Sequence, residues 1–253
     1  DTGARVKLKA EQRWLNRRGH HAEEELLWSP IKAFLGGKYY IPGEDPTTDA
    51  YTLTAGYSQQ NYNQQDYEQY LIGGGWQQQD GKWLKNYNLS YQYEDFSVGN
   101  QPRTSALLLI PSLNWTWIDA DDRLYPTRGL LFGLGLRGAS TALLSDLDFV
   151  QGTLQLKGVY ALNDASRIIA RADAGATVIS QGFENLPTSL RFFTGGDASV
   201  RGYAYNSIGP TDDEGTVIGG KNLLVGSVEY EHRVWDGWSL AAFVDSGDAF
   251  DGA

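Results

Sequence analysis

Arg167-Ile168-Ile169-Ala170-Arg171-Ala172-Asp173-Ala174-Gly175-Ala176-Thr177-Val178 repeats with a period of two. Ile168, Ala170, Ala172, Ala174, Ala176 and Val178 make one apolar face, and Arg167, Ile169, Arg171, Asp173, Gly175 and Thr177 make an opposite face that is mostly polar. Successive side chains of a strand point to opposite faces, so this period reads as β. The same alternation recurs in Val150 to Leu162, Leu107 to Trp117, Tyr87 to Tyr93 and Leu130 to Leu136. Near the start, Val6, Leu8 and Ala10 oppose Arg5, Lys7, Lys9, Glu11 and Arg13, which sets five charges on one face of one strand. A sandwich core cannot bury that face, whereas water inside a membrane barrel solvates it.

Outward from these stretches the chain divides into twelve alternating segments: 4–14, 21–29, 32–42, 50–60, 66–78, 83–94, 105–119, 129–138, 147–162, 166–180, 221–233 and 238–247. Most are near the roughly 9–11 residues that a tilted membrane strand needs. The fold expected is an all-β transmembrane antiparallel barrel occupying 1–253. Compact polar turns at 16–19, 163–165 and 236–237 contrast with one connection of nearly forty residues, 181–220. A loop that long inside a compact domain is usually functional or disordered. Tyr and Trp recur near strand ends, as interfacial girdles require, although aromatic residues also favour strands for packing reasons.

Composition agrees with this architecture and excludes others. The 253 residues have a mean hydropathy of -0.41 and no apolar run of about 18 or more, which excludes a transmembrane helix and leaves a barrel open. With 21 basic and 31 acidic side chains, a net charge of -10 and no basic cluster, no phosphate-tracking nucleic-acid surface is expected. The absence of Cys removes disulfides, thiol catalysis and Cys-ligated zinc. Met is absent too and no signal peptide precedes Asp1, so a mature piece or a fragment of something longer is expected.

Motifs that suggest enzymes fail on context. Gly133-Leu134-Gly135-Leu136-Arg137-Gly138 matches GxGxxG but lies within an alternating strand, with Leu134 and Leu136 outward and no helix to receive a pyrophosphate. The triplets at Asn88 and Asn114 fall in mid-strand. His20 and His21 fit a solvated turn better than a metal site, His232 has no Ser or carboxylate partner legible in sequence, and the paired acids Asp121, Asp122, Asp212 and Asp213 fit solvated loops. No cofactor, metal or catalytic residue is expected.

The long loop carries the candidate site. Its centre runs Arg191-Phe192-Phe193-Thr194-Gly195-Gly196-Asp197-Ala198-Ser199-Val200-Arg201-Gly202-Tyr203. In the two following segments, outward Leu224, Val228 and Tyr230 leave Glu229 and Glu231 facing the lumen, and outward Leu240, Ala242 and Val244 leave Phe243 and Asp245 facing in. Arg binds two carboxylates through its planar fork, and Gly195, Gly196 and Gly202 permit the tight backbone that would fold the loop inward. Parity alone leaves an equal alternative, an exposed polar loop above carboxylates lining a water-filled pore.

At these residues the chain resembles the outer-membrane assembly superfamily of sixteen-stranded barrels, which includes BamA-type insertases and two-partner secretion transporters, and within it the TamA-type barrels. The resemblance rests on Arg191 through Tyr203 with its core Val200-Arg201-Gly202-Tyr203, on Phe243-x-Asp245-x-Gly247, and on the turn Tyr125-Pro126-Thr127-Arg128-Gly129. It implies that Arg201 folds into the barrel as a lock and pairs with Asp245 and Glu229, while Gly195, Gly196, Asp197, Gly202 and Tyr203 shape the loop and Phe243 and Gly247 complete the strand motif. It also implies that the first strand, the last three strands and the periplasmic POTRA domains lie outside this chain, which would leave an open sheet with two unpaired edges. The implied function is assembly or secretion of outer-membrane proteins such as autotransporters, with a TamB-like periplasm-spanning partner, unfolded outer-membrane clients, and the bilayer with its lipopolysaccharide, and a share in envelope lipid transport. A two-partner secretion pore or BamA-type insertase is the alternative within the class, a soluble β-sandwich module lies outside it, and an outer-membrane hydrolase would need a Ser/His pair that the sequence does not display.

Overall fold

The computed structural model describes residues 4–122 and 124–252; of the barrel assigned to 1–253, positions 1–3, 123 and 253 lie outside the described residues. Twelve strands follow one another: β1 (Val6–Gln12), β2 (His21–Trp28), β3 (Lys32–Pro42), β4 (Asp49–Tyr62), β5 (Gln65–Asp80), β6 (Trp83–Val98), β7 (Thr104–Ala120), β8 (Arg128–Ala139), β9 (Phe149–Asn163), β10 (Ser166–Ile179), β11 (Asn222–Trp235) and β12 (Trp238–Phe250). They form one antiparallel sheet in chain order. Every expected segment is a strand, and the connection expected at 181–220 is the long one between β10 and β11. β1 and β12 are the two edges and do not pair with each other, so the sheet is open.

Side-chain exposure follows the alternation. Leu8, Leu53, Ile72, Val150, Leu224 and Leu240 are exposed on the outward face, and Val178 and Val244 are each 75% exposed. Such a band is unfavourable in water at about 25 cal/mol per Å² of apolar surface, and it is satisfied by hydrocarbon. The two mouths of the sheet differ. Trp14, Trp76, Trp83, Trp115, Trp117, Trp235 and Trp238 all lie at the end that carries the β1–β2, β5–β6, β7–β8 and β11–β12 turns, while Trp28 alone lies at the end that carries the long loop. Indole rings sit at the headgroup level of a membrane, so the girdle is heaviest at the turn mouth.

The inner face is less wet than its alternation suggests. Phe96, Ala106, Leu108, Ile110, Leu147, Phe149, Leu186 and Leu190 form a buried apolar cluster between the wall and the base of the long loop. Ala106 to Ile110 is apolar on both faces of β7, one meeting lipid and the other meeting the loop. Upper β7 also lacks β8 as a partner, because their pairing spans only Ser112 to Ala120. In its place Asp146 accepts from the Leu107 N–H at 2.7 Å and Ser145 Oγ accepts from the Leu109 N–H at 2.9 Å. The next position in that series is Pro111, which has no N–H to satisfy.

Candidate functional site: a lumen loop pinned to the wall

The loop is a folded stem with a tip. Paired bridges Phe192–Gly220 and Thr194–Ile208 make the stem, which delivers residues 195–207 into the lumen. At the tip the Gly195 N–H donates to Ser199 Oγ at 2.9 Å and the Ser199 N–H donates to the Gly196 carbonyl at 3.0 Å. Gly195, Gly196 and Gly202 have φ of 101°, 99° and 89°, the region where a Cβ is costly.

This geometry presents Arg201 to β11 and β12. Its backbone N–H and its Nε donate to Asp245 Oδ2 at 2.9 and 2.7 Å, and Nη2 donates to Asp245 Oδ1 at 2.8 Å. Nη1 donates to Glu229, and Nη2 also meets Ser227 Oγ at 3.1 Å. The guanidinium lies over the Phe243 ring, 3.4 Å from its centroid, so the aromatic of β12 forms the floor of the socket. The hydrogen bonds that Arg201 donates to Asp245, then to Glu229, hold its pKa above the ordinary value. Gly247 lies two residues beyond Asp245, where an added Cβ would come within 2.8 Å of Val225 Cγ2. Val200 is buried beside Arg201, whereas Asp197 and Tyr203 are exposed and Tyr203 makes no side-chain hydrogen bond among the described residues. Arg201, Asp245, Glu229 and Phe243 therefore meet in space, and the exposed pair does not join them.

Other anchors were not singled out from the sequence. Arg171 of β10, the strand paired with β11, donates to the Ala198 and Ser199 carbonyls of the loop tip, each at 2.7 Å. On the far wall, the fully buried Glu94 of β6 accepts from Gln69 at 3.0 Å, Gln92 at 3.1 Å and the Ser189 N–H at 3.0 Å, and the Ser189 hydroxyl adds a fourth donor. Four donors converge on this carboxylate in place of a cation, so it ties the loop base to β5 and β6. Arg191 is buried in the stem, where it donates to the Leu186, Ile218 and Glu184 carbonyls and to Gln101 Oε1; burial lowers its pKa to about 10. Parity marks Glu94 as inward because Tyr91 and Tyr93 point out, but only folding of the loop shows what it holds.

The remaining polar candidates take structural places. His20 is hydrogen-bonded to Tyr39 Oη at 2.8 Å and His21 stacks on Tyr40 at 4.4 Å, so neither is a bare solvated turn residue. Asp121 and Asp212 accept backbone N–H groups of their own loops while Asp121 stays exposed, and the Asp121 pKa, lowered first by the Thr127 hydroxyl, falls to about 2. Gly133 and Gly135 lie in β8 and line a chamber of about 440 Å³ with Asp173, Phe193 and Thr194. A Ser/His pair does exist: Ser166 Oγ lies 2.8 Å from His232 Nδ1 on adjacent strands, and Tyr230 Oη donates to Ser166 Oγ at 3.1 Å. Cross-strand register, which sequence does not display, brings Ser166 opposite His232. Among the described residues no carboxylate orients this histidine, so the pair lacks the third member of a triad.

Comparison with known proteins agrees with this fold. The family model described as the Omp85 superfamily domain matches residues 35–253. The outer membrane protein assembly factor BamA of Nitratidesulfovibrio vulgaris (strain Hildenborough) is 28% identical over 148 residues, 56% of this chain and 18% of that protein. The crystal structure of BamA from Haemophilus ducreyi lacking POTRA domains 1–3 superimposes with a TM-score of 0.86 at 16% identity, covering 99% of this chain and 56% of that one. The chain thus spans about half of that structure and less than a fifth of the matched sequence relative. An open wall of alternating strands with a lipid-facing band, an arginine-pinned lumen loop and a family match over most of its length place this chain in the Omp85 superfamily, among the barrels of the Gram-negative outer membrane.

Proposed function

We propose that this chain is the barrel wall and lumen loop of a TamA-type assembly factor, which helps unfolded outer-membrane proteins, autotransporters among them, to reach their folded state in the membrane. In this reading it works with a TamB-like periplasm-spanning partner, against a bilayer whose outer leaflet is lipopolysaccharide, and shares in envelope lipid transport. The observation that carries the reading is the seated loop: Arg201 is fastened to Asp245 and Glu229, and the Arg191 to Tyr203 stretch that delivers it is the motif on which the TamA resemblance rests. The same contacts fasten the loop to two neighbouring strands, β11 and β12, and so hold that part of the wall against the lumen loop.

Arg201→Ala in the full-length protein tests the lock. Its loss leaves Asp245, only 2% exposed, without its cation, at a cost on the order of 2–3 kcal/mol. The expected outcome is earlier loss of the folded band on heating in a gel, together with reduced surface display of an autotransporter client. Unchanged heat stability and display in both Arg201→Ala and Asp245→Asn contradict the lock. The alternative, a two-partner secretion pore, passes its client through the lumen; the apolar cluster under the loop, with Leu186 and Leu190 at 0% and 1% exposure, weighs against it. Export of a co-encoded filamentous client without effect on autotransporters would favour the pore.

A further inference from the structure

Glu229 has a close neighbour on its own strand. Glu231 lies two residues further along the same inner face of β11, about 7 Å away by strand rise, and its partners come from the opposite mouth. Tyr125 Oη, on the β7–β8 turn, donates to Glu231 Oε1 at 2.6 Å. Arg167 of β10 donates to Glu231 Oε2 at 2.9 Å and to the Pro126 carbonyl at 3.0 Å. Its guanidinium stacks 3.7 Å from the centroid of the Tyr125 ring, and Arg233 approaches the same ring at 5.7 Å. Although they stand at a barrel mouth, the Arg167 and Glu231 side chains are only 14% and 15% exposed.

The turn is stiff before it reaches them. Asp121 accepts from the Thr127 and Arg128 N–H groups at 3.0 and 3.1 Å, and Asp122 accepts from the Leu124 and Tyr125 N–H groups, each at 2.7 Å. The two strands therefore carry matched ties. On β10, Arg171 holds the loop tip and Arg167 holds the turn; on β11, Glu229 holds the loop and Glu231 holds the turn. We propose that the β7–β8 turn is a second latch on β11, with Tyr125 as its positioning residue, and that the two latches form one coupled unit joining the barrel's opposite mouths. Freeing either latch leaves the β10–β11 ladder with fewer restraints at the other, because the paired acidic and basic side chains share two adjacent, hydrogen-bonded strands. The coupling holds whether clients are inserted or exported.

The chain has no Cys, so once any Cys elsewhere in the full-length protein is replaced by Ser, a single introduced thiol reports cleanly. Val200, 4% exposed, lies beside Arg201 at the loop tip, and the full-length protein carrying Val200→Cys in lipid vesicles is labelled with a maleimide. Tyr125→Phe, which removes one hydroxyl, is expected to raise the labelling rate at least threefold, and Asp245→Asn is expected to raise chymotrypsin cleavage after Leu124 to a similar degree. In the Asp245→Asn background, Tyr125→Phe adds nothing further to labelling, because the loop is already released. A loop whose labelling ignores Tyr125→Phe while the turn loosens to chymotrypsin overturns the coupling. A turn equally resistant in Tyr125→Phe and the parent overturns the latch itself.

Discussion

Arg201 makes five hydrogen bonds, three to Asp245 and one each to Glu229 and Ser227, but the backbone decides whether it can make any. Two glycines on either side show how. Gly195 has φ of 101°, and a Cβ built there would lie 2.6 Å from the Ala204 carbonyl oxygen; Gly202 has φ of 89° with nothing within 4 Å. Gly202→Ala therefore carries only left-handed strain, about 1–2 kcal/mol, while Gly195→Ala adds a backbone collision. The temperature at which the folded band disappears on a gel is expected to fall for both and further for Gly195→Ala. At this scale the sequence was informative in one direction: parity named Asp245 and Glu229 as inward, and the resemblance named their arginine. Arg171 and Glu94 were equally inward by parity, but the loop groups they hold are two carbonyls and a serine far along the chain, and no periodicity encodes such contacts.

Among elements, the strands were legible almost to their ends because lipid on one side and water or loop on the other force strict alternation. β7 shows where this fails. Ala106 to Ile110 has no polar face, since the inner side meets the apolar base of the loop, and a stretch apolar on both faces signals burial on both. The acids of the β7–β8 turn, Asp121 and Asp122, were read as solvated; they are exposed, and they also accept backbone N–H groups of the turn. Asp121 is held at about 2, below its ordinary 3.8, by the Thr127 hydroxyl and then the Arg128 N–H. A depressed carboxylate contributes stability at pH above its unfolded value, which is lost as pH falls from about 4 through about 2. Pepsin cleavage beside Leu124 is thus expected to rise across that interval in the folded barrel, and Asp121→Asn is expected to be cleaved already at pH 4. Equal cleavage of the two at pH 4 would show that the carboxylate does not hold the turn.

Across the whole molecule, a mean hydropathy of -0.41 is the average of a lipid-facing band and a charged lumen. The loop adds a third environment, a dry contact with the wall, and stretches from the Arg201 socket on β11 and β12 to the Glu94 anchor on β6. In planar bilayers the full-length protein is expected to pass a small current, and Arg201→Ala, with the tip released, several times more; equal conductance would mean that the loop is not the obstruction. The most direct test of the pinned loop is a double-mutant cycle between Arg201→Ala and Asp245→Asn, read as urea unfolding of the full-length protein in lipid vesicles. If the two side chains act on each other as the geometry requires, the double variant is little less stable than either single one, with a coupling of about 2 kcal/mol. Strictly additive losses would contradict the lock.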